Sequence, residues 1–180
     1  MTGAIALQRI DDALRSYWVL LGDRRIGEVR ERGFGTAELH LRDAGYLMRR
    51  DDTADALKAR AGFARAVLAQ VMLRGRYSLR DGDRVVAGAE RRFSLSTRRD
   101  GVCVQPDIGA EERWSLAKRD GLRRPWSIET DGRIVGHVAE SGWGFAWHGP
   151  AVSEPVAVFA LYALHQQFGM HPSSGDAGGE

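Results

Sequence analysis

The stretch SEPVAVFALYALHQQFG, Ser153 to Gly169, decides the fold. From Pro155 to Leu164 every residue is apolar, in a chain that is otherwise strongly polar. Its ends carry helix punctuation: Ser153 or Glu154 as the cap, Pro155 in the first turn, Gly169 as the stop. A membrane span needs about 20 apolar residues, and His165, Gln166 and Gln167 end this run well short of that. No transmembrane span is therefore expected. A helix that is apolar on every face and too short to span belongs in the middle of a protein. Its cover must reach round all its sides.

A recurring hairpin supplies that cover. RPWSIETDGRIVGHV (Arg124 to Val138) reads as an aromatic residue, alternating aliphatics, a turn with Asp131-Gly132, then Arg133 and a second alternation. SYWVLLGDRRIGEV (Ser16 to Val29) repeats it: Arg24 follows Tyr17 as Arg133 follows Trp126, and Ile26-Gly27 match Val135-Gly136. RYSLRDGDRVVAGA (Arg76 to Ala89) repeats it again around Asp81-Gly82, with Arg84 in step and a one-residue slip beyond. RWSLAKRDG (Arg113 to Gly121) begins a fourth copy. Two short strands of period two joined by an Asp/Gly turn are a hairpin signature.

Further alternating runs fill the gaps: Thr36 to Arg42, Tyr46 to Arg50, Arg92 to Arg98, Gly101 to Gln105 and Gly142 to Gly149. Together these predict about a dozen strands. Asp52 to Arg74 departs from the pattern. Leu57, Ala61, Ala64, Leu68, Val71 and Met72 recur at helical spacing, which predicts an amphipathic helix lying outside the strands. The first fifteen residues are expected to form another short helix. The expected fold is mainly β with helices (α+β): a closed antiparallel barrel of about twelve strands threaded by its own C-terminal helix. Closure removes sheet edges, and the helix fills an interior too wide for sheet side chains. Ala157, Ala160 and Ala163 would let strands approach the helix, and Phe159, Leu161, Tyr162 and Leu164 would fill the wider layers. A single domain is expected over residues 1–170, with 171–180 a flexible tail of disordered composition.

These hairpins, followed by a closing hydrophobic helix, resemble the tubby C-terminal-like superfamily, and within it the LURP-one-related and phospholipid scramblase-like proteins. The resemblance runs from Ser16 to Gly169 and rests on pattern and order. It implies a twelve-stranded barrel around a central hydrophobic helix. Tubby domains bind phosphoinositides through basic residues on the barrel surface, and scramblase-like members bind calcium through a short acidic segment. No stretch here matches either site residue by residue, so the resemblance implies the fold and carries no site.

Composition bounds the function. Hydrophobic content of 43% and charged content of 28% are those of a globular protein. A formal net charge of +2 makes no whole-chain case for nucleic acid. Lys58 and Lys118 are the only lysines among 26 basic residues, a bias that reads first as the signature of a GC-rich genome. Cys103 is the only cysteine, so no internal disulfide forms. That fits a reducing compartment, a cytoplasmic location is expected, and the N-terminus shows no signal-peptide pattern. Cys103 itself reads as strand filler with no base beside it.

Candidate chemistry is sparse. His40, His137, His148, His165 and His171 show no metal-pair spacing on one helix or strand. His40 and His137 fall opposite the aliphatic set and should face solvent, while His165 should be a satisfied histidine in the core or at the barrel mouth. No Ser-His-Asp or Cys-His set can be assembled. No catalytic residue, metal site or cofactor is expected. One feature stands above background: the arginine pairs Arg91-Arg92, Arg98-Arg99 and Arg123-Arg124. These are the candidate ligand-binding residues, suited to an anionic lipid headgroup or an acidic protein surface. The expected function is a non-enzymatic binding module. The alternatives are a scaffold with no small-molecule site, or an enzyme whose site is assembled from distant residues.

Overall fold

The structure is a computed structural model that describes residues 4–11, 16–33, 35–51, 75–94, 99–118, 125–141 and 144–168. Twelve strands precede one helix. They are β1 (Ile5–Asp11), β2 (Ser16–Leu21), β3 (Arg24–Gly33), β4 (Thr36–Leu41), β5 (Ala44–Arg50) and β6 (Arg76–Asp81). β7 (Arg84–Ser94), β8 (Arg99–Gln105), β9 (Trp114–Lys118), β10 (Trp126–Thr130), β11 (Arg133–Ser141) and β12 (Gly144–His148) complete the sheet. The helix α1 (Glu154–Phe168) follows. Each strand pairs antiparallel with the next, and β1 pairs with β12, so the sheet closes as an up-and-down barrel.

The N-terminal helix expected from the first fifteen residues is instead strand β1. Ile5 and Leu7 are buried while Gln8 is exposed, the period of a half-buried strand. β1 pairs on both sides, to β12 and β2. A helix there would leave two open edges, a templating liability that closure removes. The amphipathic segment Asp52 to Arg74 and the tail 171–180 lie outside the described residues, and α1 is the one helix described.

Inside the barrel, Val156 to Leu164 are buried without interruption. Ser153 caps α1: its carbonyl accepts the N–H groups of Val156 and Ala157. Ala157, Ala160 and Ala163 are fully buried, as are Phe159, Leu161 and Leu164. Burying a Val, Leu or Phe side chain stabilises by about 1.5–3 kcal/mol. An exposed ion pair such as Arg42–Glu154, at 2.7 Å, contributes about 0–1 kcal/mol. The greasy helix therefore dominates the fold, and the surface ion pairs decorate it.

Alternation gives the barrel two rims. At the entry rim, where α1 begins, sit the tight connections after β2, β4, β6 and β10. At the exit rim, where α1 ends, strands β1, β3, β5, β7, β9 and β11 end. Three hairpins, β2–β3, β6–β7 and β10–β11, share one irregularity. Each carries a bulge between the second and third inward steps, at Val19/Leu20, Leu79/Arg80 and Ile128/Glu129. The extra residues are Ile26, Val86 and Val135, each the ninth after its opening aromatic, so the repeat holds in three dimensions. The slip expected after Arg84 does not occur, because Ala87 occupies the position of Gly27 and Gly136. The turn of β6–β7 is also one residue later than expected, at Gly82-Asp83. Gly82 has φ of 56°, a left-handed first turn position that glycine takes without strain. RWSLAKRDG is not a fourth copy: β9 runs antiparallel to β10, opposite to the opening strand of a hairpin unit.

Candidate functional site

The helix occupies the barrel interior, so chemistry has only the rims and the outer wall. At the exit rim the inward register changes character. It is apolar through Leu7, Val29, Met48, Ala89, Leu116 and Val138, all buried. Two residues further along β1, β3, β5, β7 and β11 stand Arg9, Glu31, Arg50, Arg91 and Glu140. These five strands thus close their inward rows on charged residues. Arg91 and Arg50 stand on β7 and β5, with β6 between them. Glu140 and Glu31 flank them, and Arg9 lies between the two glutamates on the far side.

The end of α1 meets this collar. The Tyr17 hydroxyl lies 2.7 Å from Nε2 of His165 and 3.4 Å from Oε1 of Glu31. The same Glu31 oxygen accepts the Tyr162 hydroxyl at 3.4 Å and the Gln166 amide. Gln167 donates to the carbonyl of Gly75 at 3.1 Å. Trp126 donates to Glu140 at 2.8 Å and packs against Phe168, ring centroids 4.6 Å apart. The Arg91 guanidinium lies 5.4 Å from the Phe168 ring centre. Both glutamates thus accept hydrogen bonds from uncharged groups of the barrel wall and helix.

Burial sets the titration here. Desolvation, and secondarily the charge of Arg9, lower the His165 pKa to about 4. Desolvation, and secondarily the Glu31 carboxylate, raise the Tyr162 phenol well above its usual range. Both groups are neutral at pH 7. His165 is the satisfied mouth histidine expected from the sequence.

Of the arginine pairs, Arg91 sits in the collar, Arg92 follows it in β7, and Arg99 opens β8. Arg98, Arg123 and Arg124 lie outside the described residues. In the chain they fall between β7 and β8 and between β9 and β10. The remaining collar residues escaped sequence reasoning. Their signal was present: each is the charged residue two places after the last apolar inward residue of its strand.

The outer wall carries a pocket of about 210 Å³ across β6 to β8, lined by Asp51, Arg76, Glu90, Gln105 and Arg113 among others. Arg76 lies 3.8 Å from Glu90. Two arginines face two carboxylates there, so the pocket has no net preference for an anion. His40 and His137 face solvent, as expected, and Cys103 is buried. Among the described residues, no group of three or more His, Cys, Asp or Glu side chains is placed to hold a metal ion. No helix of the described residues is long and apolar enough to cross a membrane. No protein-family model, curated protein or solved structure matches the chain.

Proposed function

We propose that this chain is a tubby-like, non-catalytic binding module that engages an anionic lipid headgroup at its exit rim. The observation that carries the reading is the presence of Arg50 and Arg91 at the inward ends of β5 and β7, which flank β6. In the chain Arg98 follows β7 and Arg123-Arg124 precede β10. Guanidinium groups pair with phosphate oxygens in a bidentate way, and a cationic sector on one rim orients the barrel on an anionic surface.

Vesicle flotation tests this. The wild type should float with phosphatidylserine vesicles and not with phosphatidylcholine vesicles at low salt. Binding should weaken as salt rises, because exposed charges are screened over about 10 Å at 0.1 M. Replacing Arg98, Arg99, Arg123 and Arg124 together with Glu should abolish flotation and leave the melting temperature unchanged. Failure of the wild type to bind anionic vesicles at low salt would exclude the lipid reading and leave an acidic protein surface as the partner.

A further inference from the structure

His137 and His148 lie on different strands, and the register of β11 and β12 sets them directly opposite each other. Their neighbours Val138 and Trp147 pair in the core, so both histidines face outward and both are exposed. The two rings stack with centroids 4.7 Å apart and planes 14° from parallel. Among the described residues neither ring has a hydrogen-bond or ion-pair partner, so their ring nitrogens are available.

Gly136 fixes this geometry. A Cβ at Gly136 would collide with the carbonyl of His148 and the Cα of Gly149. The missing side chain lets the end of β12 press onto β11, and the Val138–Trp147 pair beneath holds the register. In a closed barrel neither strand can slide away.

We propose that His137 and His148 form a two-imidazole site for a divalent late first-row transition ion of the class Zn²⁺, Ni²⁺ or Cu²⁺. Water fills the remaining positions. Imidazole is a ligand these ions favour. With Zn–N bonds of about 2.0–2.1 Å, two nitrogens on one ion stand roughly 3.0–4.2 Å apart, depending on the angle between them. Near-parallel rings 4.7 Å apart reach that separation by side-chain rotation alone. The site is independent of the exit rim, since it lies on the outer wall.

Calorimetric titration of the full chain with zinc chloride at neutral pH should show one ion bound per chain. His137→Ala and His148→Ala should each weaken that binding at least ten-fold, and His40→Ala should leave it unchanged. With Cu²⁺ as the probe, electron paramagnetic resonance should show nitrogen couplings from two imidazoles in the wild type and fewer in each variant. Both side chains are exposed, so both variants should melt with the wild type. Absence of zinc binding by the wild type, or binding weakened less than ten-fold in either single variant, would overturn the site.

Discussion

The phenol oxygen of Tyr17 and Nε2 of His165 stand 2.7 Å apart, although 148 residues separate them. The contact ties the first hairpin to the end of the central helix, and it works only while the imidazole is neutral enough to remain buried. The folded-state pKa of His165 is about 4, against an ordinary value of 6.5. Below pH 6.5 the unfolded chain takes up a proton that the folded chain refuses. Stability is therefore complete above pH 6.5 and is lost as pH falls from 6.5 toward 4. By pH 5 the loss should be about 2 kcal/mol, at 1.36 kcal/mol per pKa unit. Urea unfolding of the wild type and His165→Gln at pH 7.5 and pH 5 checks this. The variant should lose markedly less stability on acidification.

Leu161 tests the central helix. It is fully buried among Phe159, Tyr162 and strand residues. Leu161→Ala should cost about 2–5 kcal/mol through the cavity it leaves. Leu161→Asp should prevent folding, since an unpaired buried charge costs several kcal/mol. Circular dichroism and thermal melting read both. An unchanged melting temperature for Leu161→Asp would be incompatible with an enclosed helix.

The shared bulge makes a prediction about its neighbouring residue. Gly27 and Ala87 hold equivalent places in two hairpins, but a Cβ at Gly27 would collide with the carbonyl of His40 and the Leu41 side chain. Gly27→Ala should therefore destabilise by about 1–3 kcal/mol, the usual range for overpacking. A neutral result in thermal unfolding would mean that β3 and β4 can part at no cost.

The core of this fold was legible because two signals agreed. The run Pro155 to Leu164 has no polar face, and the runs around it alternate, so helix and cover implied each other. Local reading failed where partnership decides structure. Ile5 to Asp11 is short and ambiguous by itself, and β1 is a strand because β2 and β12 both need an edge filled. The candidate site was legible only in part. Arg91 could be singled out from its pairing with Arg92, but Arg9, Arg50 and Glu31 lie far apart in the chain and share a rim only through topology. The same holds for His137 and His148. No spacing rule on one strand finds a pair that exists across two.

Glu31 supplies the last test, because one carboxylate oxygen receives Tyr17, Tyr162 and the Gln166 amide. Two of those donors lie on α1 and one on β2, so Glu31 is the point where the end of the helix is fixed to the wall. Removing it strands partly buried donors, each worth about 1–3 kcal/mol when left unsatisfied. The distances of 3.4 Å to both tyrosines are long, which places the expected total near the lower end, about 2–3 kcal/mol for Glu31→Ala. The damage should be local. Hydrogen exchange should quicken at the end of α1, from His165 to Phe168, while Val156 to Leu164 keep their protection through apolar burial. A double-mutant cycle between Glu31→Ala and Tyr162→Phe should show coupling, since the two act through one bond. Strict additivity together with unchanged exchange at the helix end would show that apolar packing alone holds α1 in place.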